Sequence, residues 1–124
     1  MEYFYTNRAP KAIGPYSQAV KAGNMLFVSG QLPIEPDTGF INGDNIGVQA
    51  ERALKNLFTI VEEAGCSVSS IAKITVYLKN MADFQEFNIV YEKALDGHKP
   101  ARAVVGVSEL PKDALLEVDA ICVK

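Results

Sequence analysis

A single histidine, His98, serves the whole chain of 124 residues, and there are only two cysteines, Cys66 and Cys122. Both scarcities exclude chemistry. A histidine-dependent ribonuclease or a Ser-His-Asp hydrolase requires an imidazole that titrates near neutrality. His98 stands just after a helix-ending Gly97 and before Pro100, where a solvated loop or helix-terminus role is expected instead. The cysteines lie far apart and outside any C-x-x-C pattern, so neither a disulfide framework nor a zinc ribbon is supported, and both are expected to be reduced structural thiols. The H-x-E and P-C-x-x-C clusters with which zinc deaminases lower the pKa of bound water are missing. So are the glycine-rich phosphate loops G-x-G-x-x-G and G-x-x-x-x-G-K-[ST]. Lys73, the lysine nearest a strand centre, has no feature marking it as a Schiff-base residue. No metal and no cofactor is expected.

Positive charge is also short. Twelve Lys and Arg against 15 Asp and Glu leave a net charge of −3, which disfavours nucleic acid and anionic lipid surfaces as partners. Residues 1–8 lack the basic and apolar regions of a secretory signal. Apolar runs such as 25–28 are far too short to cross a bilayer. The expectation is a cytoplasmic protein without membrane association. With 48% apolar and 22% charged residues, the length suits one domain over 1–124 that buries a real core without disulfides or metal.

The apolar spacing predicts the elements. Residues 16–22 and 25–29 flank Gly23-Asn24, a tight-turn dipeptide, and read as an antiparallel hairpin. A short strand is expected at 3–5. A turn-rich stretch, 30–44, reads as an ordered surface loop. Over 46–64 the apolar residues recur at three and four, and Gly65 sits where a helix would stop. Residues 71–79 switch to period two. Asn80 with Asp83 resembles a cap for a second helix, with a buried stripe of Phe84, Phe87, Tyr91 and Leu95 and an end at Gly97. Two last strands follow at 101–107 and 115–123. The plan is α+β, a mixed sheet with two helices able to cover one face. Strands such as 25–28 and 103–107 carry apolar side chains both ways, so the other face calls for a partner, ordinarily a symmetric homo-oligomer.

Two charges interrupt strands that otherwise look buried. Arg102 opens the run Ala103-Val104-Val105-Gly106-Val107, and its planar guanidinium suits a bidentate grip on a carboxylate. Glu117 interrupts Ala114-Leu115-Leu116-Val118, where a carboxylate must be paired, protonated or functional. A structural ion pair between the two is the plain alternative. Period-two counting puts Leu115, Glu117, Asp119 and Ile121 on one face, so Asp119 rivals Glu117 for any role.

In order along the chain stand Ala9-Pro10, Ile13-Gly14-Pro15-Tyr16-Ser17-Gln18-Ala19, Phe27-Val28-Ser29-Gly30-Gln31, Asp83-Phe84 with Asn88, Pro100-Ala101-Arg102, Leu110-Pro111-Lys112 and Leu116-Glu117-Val118. Taken together they resemble the RidA (YjgF/YER057c/UK114) family of reactive-intermediate deaminases, often labelled L-PSP endoribonuclease, over nearly the whole chain. The resemblance implies a chorismate-mutase-like α+β fold with a sheet of about six strands, and a homotrimer with sites between subunits. It implies hydrolysis of 2-imino acids or their enamine tautomers (2-aminoacrylate, 2-iminobutanoate, 2-iminopropanoate) to 2-oxo acids and ammonia, without metal. By resemblance Arg102, assisted by the backbone amide of Val104, binds the substrate carboxylate, and Glu117 directs water. Tyr16, Ser29, Gly30 and Asn88 match pocket-lining positions, with Phe84 beside them. Each has a structural alternative: Tyr16 a core aromatic, Ser29-Gly30 a strand end, Asn88 a solvent-facing helix residue, Gly14 and Gly30 glycines kept for their backbone angles. Many relatives have cysteine where this chain has Val104, so thiol chemistry there is absent. A non-catalytic regulator that senses 2-oxo or amino acids in the same cleft is the main alternative function, and an endoribonuclease the lower-ranked one.

Overall fold

The computed structural model describes all 124 residues. Elements follow the predicted order: β1 Glu2–Phe4, β2 Ala19–Ala22, β3 Met25–Gln31, α1 Ile46–Glu63, β4 Ile71–Leu78, α2 Phe84–Leu95, β5 Ala101–Gly106 and β6 Leu116–Val123. Short 3-10 turns precede β4, α2 and β6. The six strands form one mixed sheet in the order β1-β2-β3-β6-β4-β5, and only β4 and β5 run parallel. The last strand therefore inserts into the middle of the sheet. No helix is long and apolar enough to cross a membrane.

Local chemistry explains the boundaries. The β2–β3 hairpin turns at Gly23, whose φ of +60° needs no Cβ, and Asn24 does not share that region. The hairpin is shorter at its start than predicted, because residues 16–18 run outside the sheet. In α1, Asn45 caps the first turn, its Oδ1 accepting from the Val48 amide at 3.0 Å. The predicted cap of α2 is not formed: neither Asn80 nor Asp83 bonds through its side chain, and a 3-10 turn, Met81–Asp83, leads in instead. That helix ends with Asp96 at φ 47° and Gly97 at φ 92°, so the left-handed exit begins one residue before the glycine.

Both helices lie on one face of the sheet. Leu54, Leu57, Ile60 and Val61 of α1 and Phe87 of α2 are at most 1% exposed, and they meet Leu26, Val28, Ile74, Val76, Leu116 and Val118 from the strands. Each such side chain contributes about 1.5–3 kcal/mol by burial. No element covers the opposite face. There Phe27 and Val105 are 41% and 42% exposed, large apolar surface of the kind the strand pattern anticipated. Residues 32–43 close on themselves through a bridge between Ile34 and Ile41. They are pinned to α1 by two buried amides that sequence reasoning did not single out. Asn56, fully buried, donates to the carbonyls of Leu32 and Ile34 and accepts from Arg52, which also pairs with Glu35 at 3.2 Å. Gln49 donates to the Gly43 carbonyl and accepts from the Leu115 amide. His98 is half-buried, not a solvated loop residue, and its Nε2 lies 2.8 Å from the Ile71 carbonyl.

Asn56→Ala removes four hydrogen bonds and strands two carbonyls. It should cost about 2–4 kcal/mol in urea unfolding and speed proteolytic cleavage within 32–43; unchanged stability would mean that the loop does not depend on this anchor.

Candidate functional site

The register across the sheet decides which candidates can meet. Phe4, Ala19, Val28, Ala120, Ile74 and Arg102 form one cross-strand row through successive pairs, and every member before Arg102 faces the helices. Arg102 therefore projects on the helix side, at the exposed edge strand. Glu117 pairs opposite Tyr77, and Tyr77 opposite Val105, on the uncovered face. Arg102 and Glu117 thus stand on opposite faces, two strand spacings apart and three residues along β4, with a Cα separation of roughly 14 Å. The ion pair that would have neutralised both does not exist, and the residues gather into two separate groups.

The first group surrounds the guanidinium. Arg102 Nη1 donates to Asn88 Oδ1 at 2.6 Å, and the guanidinium carbon lies 4.8 Å from the Tyr91 ring centre and 5.6 Å from that of Phe84. All three partners come from α2. Asn88 is turned toward the sheet edge and is not a free solvent-facing residue. Arg102 has no carboxylate partner; the salt bridges of the chain lie elsewhere. An aromatic face and one amide oxygen hold the planar fork in place while leaving its other donors unused. Val104 follows on the same strand, half-buried against the core. Beside Arg102 is a depression of about 340 Å³ lined by Asn88, Tyr91, His98, Lys99 and Pro100. Tyr91, known from the sequence only as part of the buried stripe, is the addition here. Burial raises the pKa of its hydroxyl, with the charge of Arg102 opposing.

The second group lies around Glu117. Between Val28 and Gln31 strand β3 carries one residue more than β6 opposite, a bulge that holds Ser29 and Gly30. A Cβ on Gly30 would collide with the Glu117 carboxylate, so this glycine provides room, and it has no positive φ to explain it otherwise. Gly14, at φ 131°, does need its backbone freedom. Ser29 bonds through its amide to the Gln18 carbonyl and through its hydroxyl to that of Ser17, tying the segment that bears Tyr16 beside the bulge. Tyr16 is half exposed and is not a core aromatic. Glu117 makes no side-chain hydrogen bond, and burial, then the charge of Asp119, raise its pKa above the usual carboxylate range. Asp119 is already engaged, accepting from Tyr77 Oη at 2.9 Å.

Other features are set apart from both groups. A depression of about 710 Å³ lies between α1 and α2 along Leu54, Phe58, Ile89 and Val90 and contains none of the candidate residues. Both cysteines are free; burial and then Cys66 push the Cys122 thiol up to about 11, which leaves it protonated and inert at neutral pH. No group of three or more His, Cys, Asp and Glu residues is arranged to hold a metal ion.

Residues 6–124 match the family model described as Endoribonuclease L-PSP. A RutC family protein of Pyrococcus abyssi is 50% identical over 123 residues, 99% of this chain and 97% of its own length. Among solved structures, Escherichia coli TdcF with bound serine is 45% identical with a TM-score of 0.95, covering 100% of this chain and 99% of that one. The YjgF gene product of E. coli is 43% identical with a TM-score of 0.95 at the same coverage. The six-stranded mixed sheet with two helices is the chorismate-mutase-like fold of these proteins. By sequence and by structure the chain belongs to the Endoribonuclease L-PSP family, the RidA (YjgF/YER057c/UK114) family.

Proposed function

We propose that the protein hydrolyses 2-imino acids and their enamine tautomers to 2-oxo acids and ammonia, in clefts that two copies of the chain complete in a homotrimer. The observation that carries this reading is the separation of an unpaired, aromatic-backed guanidinium from an unbonded carboxylate of raised pKa on the opposite face of the sheet. Neither group is satisfied within one chain, and both lie where a neighbour can approach: an exposed edge strand and an uncovered apolar face. Arg102 of one copy would grip the substrate carboxylate, helped by the Val104 amide. Tyr16, Ser29, Gly30 and Glu117 of the next would line the reacting end, with Asn88 and Phe84 fixing the arginine.

The chemistry asks for little more. An imine carbon is already electrophilic, so the work is orientation and proton transfer. Glu117 takes a proton from water as the oxygen bonds to the imine carbon and delivers it toward nitrogen. Collapse of the carbinolamine then expels ammonia and leaves the 2-oxo acid. A carboxylate that makes no competing hydrogen bond and has a raised pKa is a better base for that step than one held low by a salt bridge. The serine bound to TdcF carries the carboxylate and α-nitrogen that a 2-imino acid also has. Ribonuclease chemistry is less favoured, because the one histidine is tied to the Ile71 carbonyl. A cleft that only senses metabolites would need Arg102 but would have no use for Glu117.

Stopped-flow decay of 2-iminobutanoate generated in situ tests the reading; a decay rate unchanged by the protein ends it. Arg102→Ala should lower kcat/KM by about 100-fold or more through the lost charge-assisted bonds. Glu117→Gln should lower kcat by about 10²–10⁴-fold with KM little changed, and full activity in that variant would exclude Glu117 as the base. Mixing Arg102→Ala and Glu117→Ala subunits after dissociation should restore about one quarter of wild-type activity by random reassembly of shared sites, whereas sites within one chain would stay dead. Because the folded-state pKa of Glu117 is raised, the stability it allows is fully present below the ordinary carboxylate range and lost as pH rises through the raised value. Glu117→Gln should therefore raise Tm at neutral pH, and the gain should vanish in acid.

A further inference from the structure

The uncovered face carries a second acidic side chain that the proposed chemistry does not use. Asp119 follows Glu117 by two residues on β6, so both carboxylates leave the same face of the same strand. Directly opposite on β4 stand Tyr77, facing Glu117, and Thr75, facing Asp119. The Tyr77 hydroxyl reaches diagonally across the strands and donates to Asp119 Oδ2 at 2.9 Å. It bonds Asp119 and leaves Glu117 without a side-chain hydrogen bond.

Resting on the deaminase reading above, we propose that the Tyr77–Asp119 pair is a positioning device for Glu117: the tyrosine clamps a fixed negative charge beside the base, and that charge biases Glu117 toward accepting a proton from the attacking water.

Within the chain no cation forms a salt bridge with Asp119. On β4 the cation of the same face is Lys73, which pairs opposite Ile121 and so stands diagonal to Asp119 without a salt bridge to it; just after the strand, the ammonium of Lys79 is taken by Asp113. On β3 the neighbours Ser29 and Gly30 bring no charge, and on β5 Ala103 and Val105 bring none. Burial is the larger cause of the raised pKa of Glu117 and Asp119 the second, while the Tyr77 hydroxyl is pushed up chiefly by its bond to Asp119 and so stays a donor. Two carboxylates two residues apart on one strand face repel each other. The clamp keeps the arrangement in spite of that.

Asp119→Asn retains shape and the bond from Tyr77 but removes the charge. Carbon NMR titration of isotopically labelled glutamate carboxyls, with Glu117→Gln assigning the resonance, should show the Glu117 midpoint moving to lower pH. The acid limb of kcat should move the same way and its plateau fall by about two- to fivefold, the Brønsted penalty of a weaker base, with KM unchanged. Tyr77→Phe frees the carboxylate and should move both readouts in the same direction by less, which keeps the test available if Asp119→Asn fails to fold. A Glu117 midpoint and a rate profile that coincide with wild type in the folded variants overturn the proposal. If wild-type protein accelerates no imine hydrolysis, the deaminase reading falls by itself, and the carbon titration alone decides whether Asp119 biases Glu117.

Discussion

The register of β6 is the constraint from which the rest of the structure follows. This strand lies between β3 and β4, and its alternation sends Leu116, Val118, Ala120 and Cys122 beneath the helices, each at most 2% exposed. Glu117 and Asp119 then take the other face. A slip of one residue would exchange the two sets, forcing two carboxylates into the core without partners at a cost of several kcal/mol each. The ends of the strand are pinned as well: the Leu115 amide bonds to Gln49, the Leu115 carbonyl accepts from the Lys79 amide, and the Lys124 amide donates to the Asn24 carbonyl. One registration therefore positions the core, the contact between Glu117 and Gly30, and the diagonal bond from Tyr77.

Strand β5 has the opposite phase. Its parallel pairing with β4 sets Arg102 opposite Ile74, a core residue, and so turns the guanidinium to the helix side. At the sheet edge that side is still open to solvent, and α2 supplies Asn88, Tyr91 and Phe84 to hold the group. A carboxylate-binding fork and a water-directing base of the proposed kind would act on the same small substrate only if different chains contributed them. The apolar uncovered face gives a physical reason for the association proposed above, and the split of the two groups would give it a chemical use.

Stability and site are also joined through α1. Its buried amides Gln49 and Asn56 interrupt an otherwise apolar stripe, and each satisfies main-chain groups of irregular segments that have no strand partner. Asn56 holds the loop that leaves the β3 bulge, and Gln49 holds that loop's far end together with the start of β6. Ser29, Gly30 and Glu117 are consequently carried on main chain anchored to the helix core and do not hang from a free loop.

The sequence by itself determined the element order, since apolar spacing at three and four in α1 and α2 and at two in β4 and β6 is a local property of the chain. It also marked Arg102 and Glu117 as charges on apolar strands, and its motifs carried the family. Local signals failed where a competing contact won: Asn80 and Asp83 look like a cap, but a 3-10 turn precedes the helix, and Gly30 looks like a strand end, but its missing Cβ makes room for a carboxylate. Tyr91 and Tyr77 were visible only as a stripe residue and a strand residue. Only the tertiary structure decided that Arg102 and Glu117 face opposite ways, that Asp119 is bonded and Glu117 is not, and that aromatic rings back the guanidinium. The face of one strand relative to another depends on which residue sits opposite which across β4, and that is set by hydrogen bonds between segments far apart in the chain, which no periodicity within either segment records.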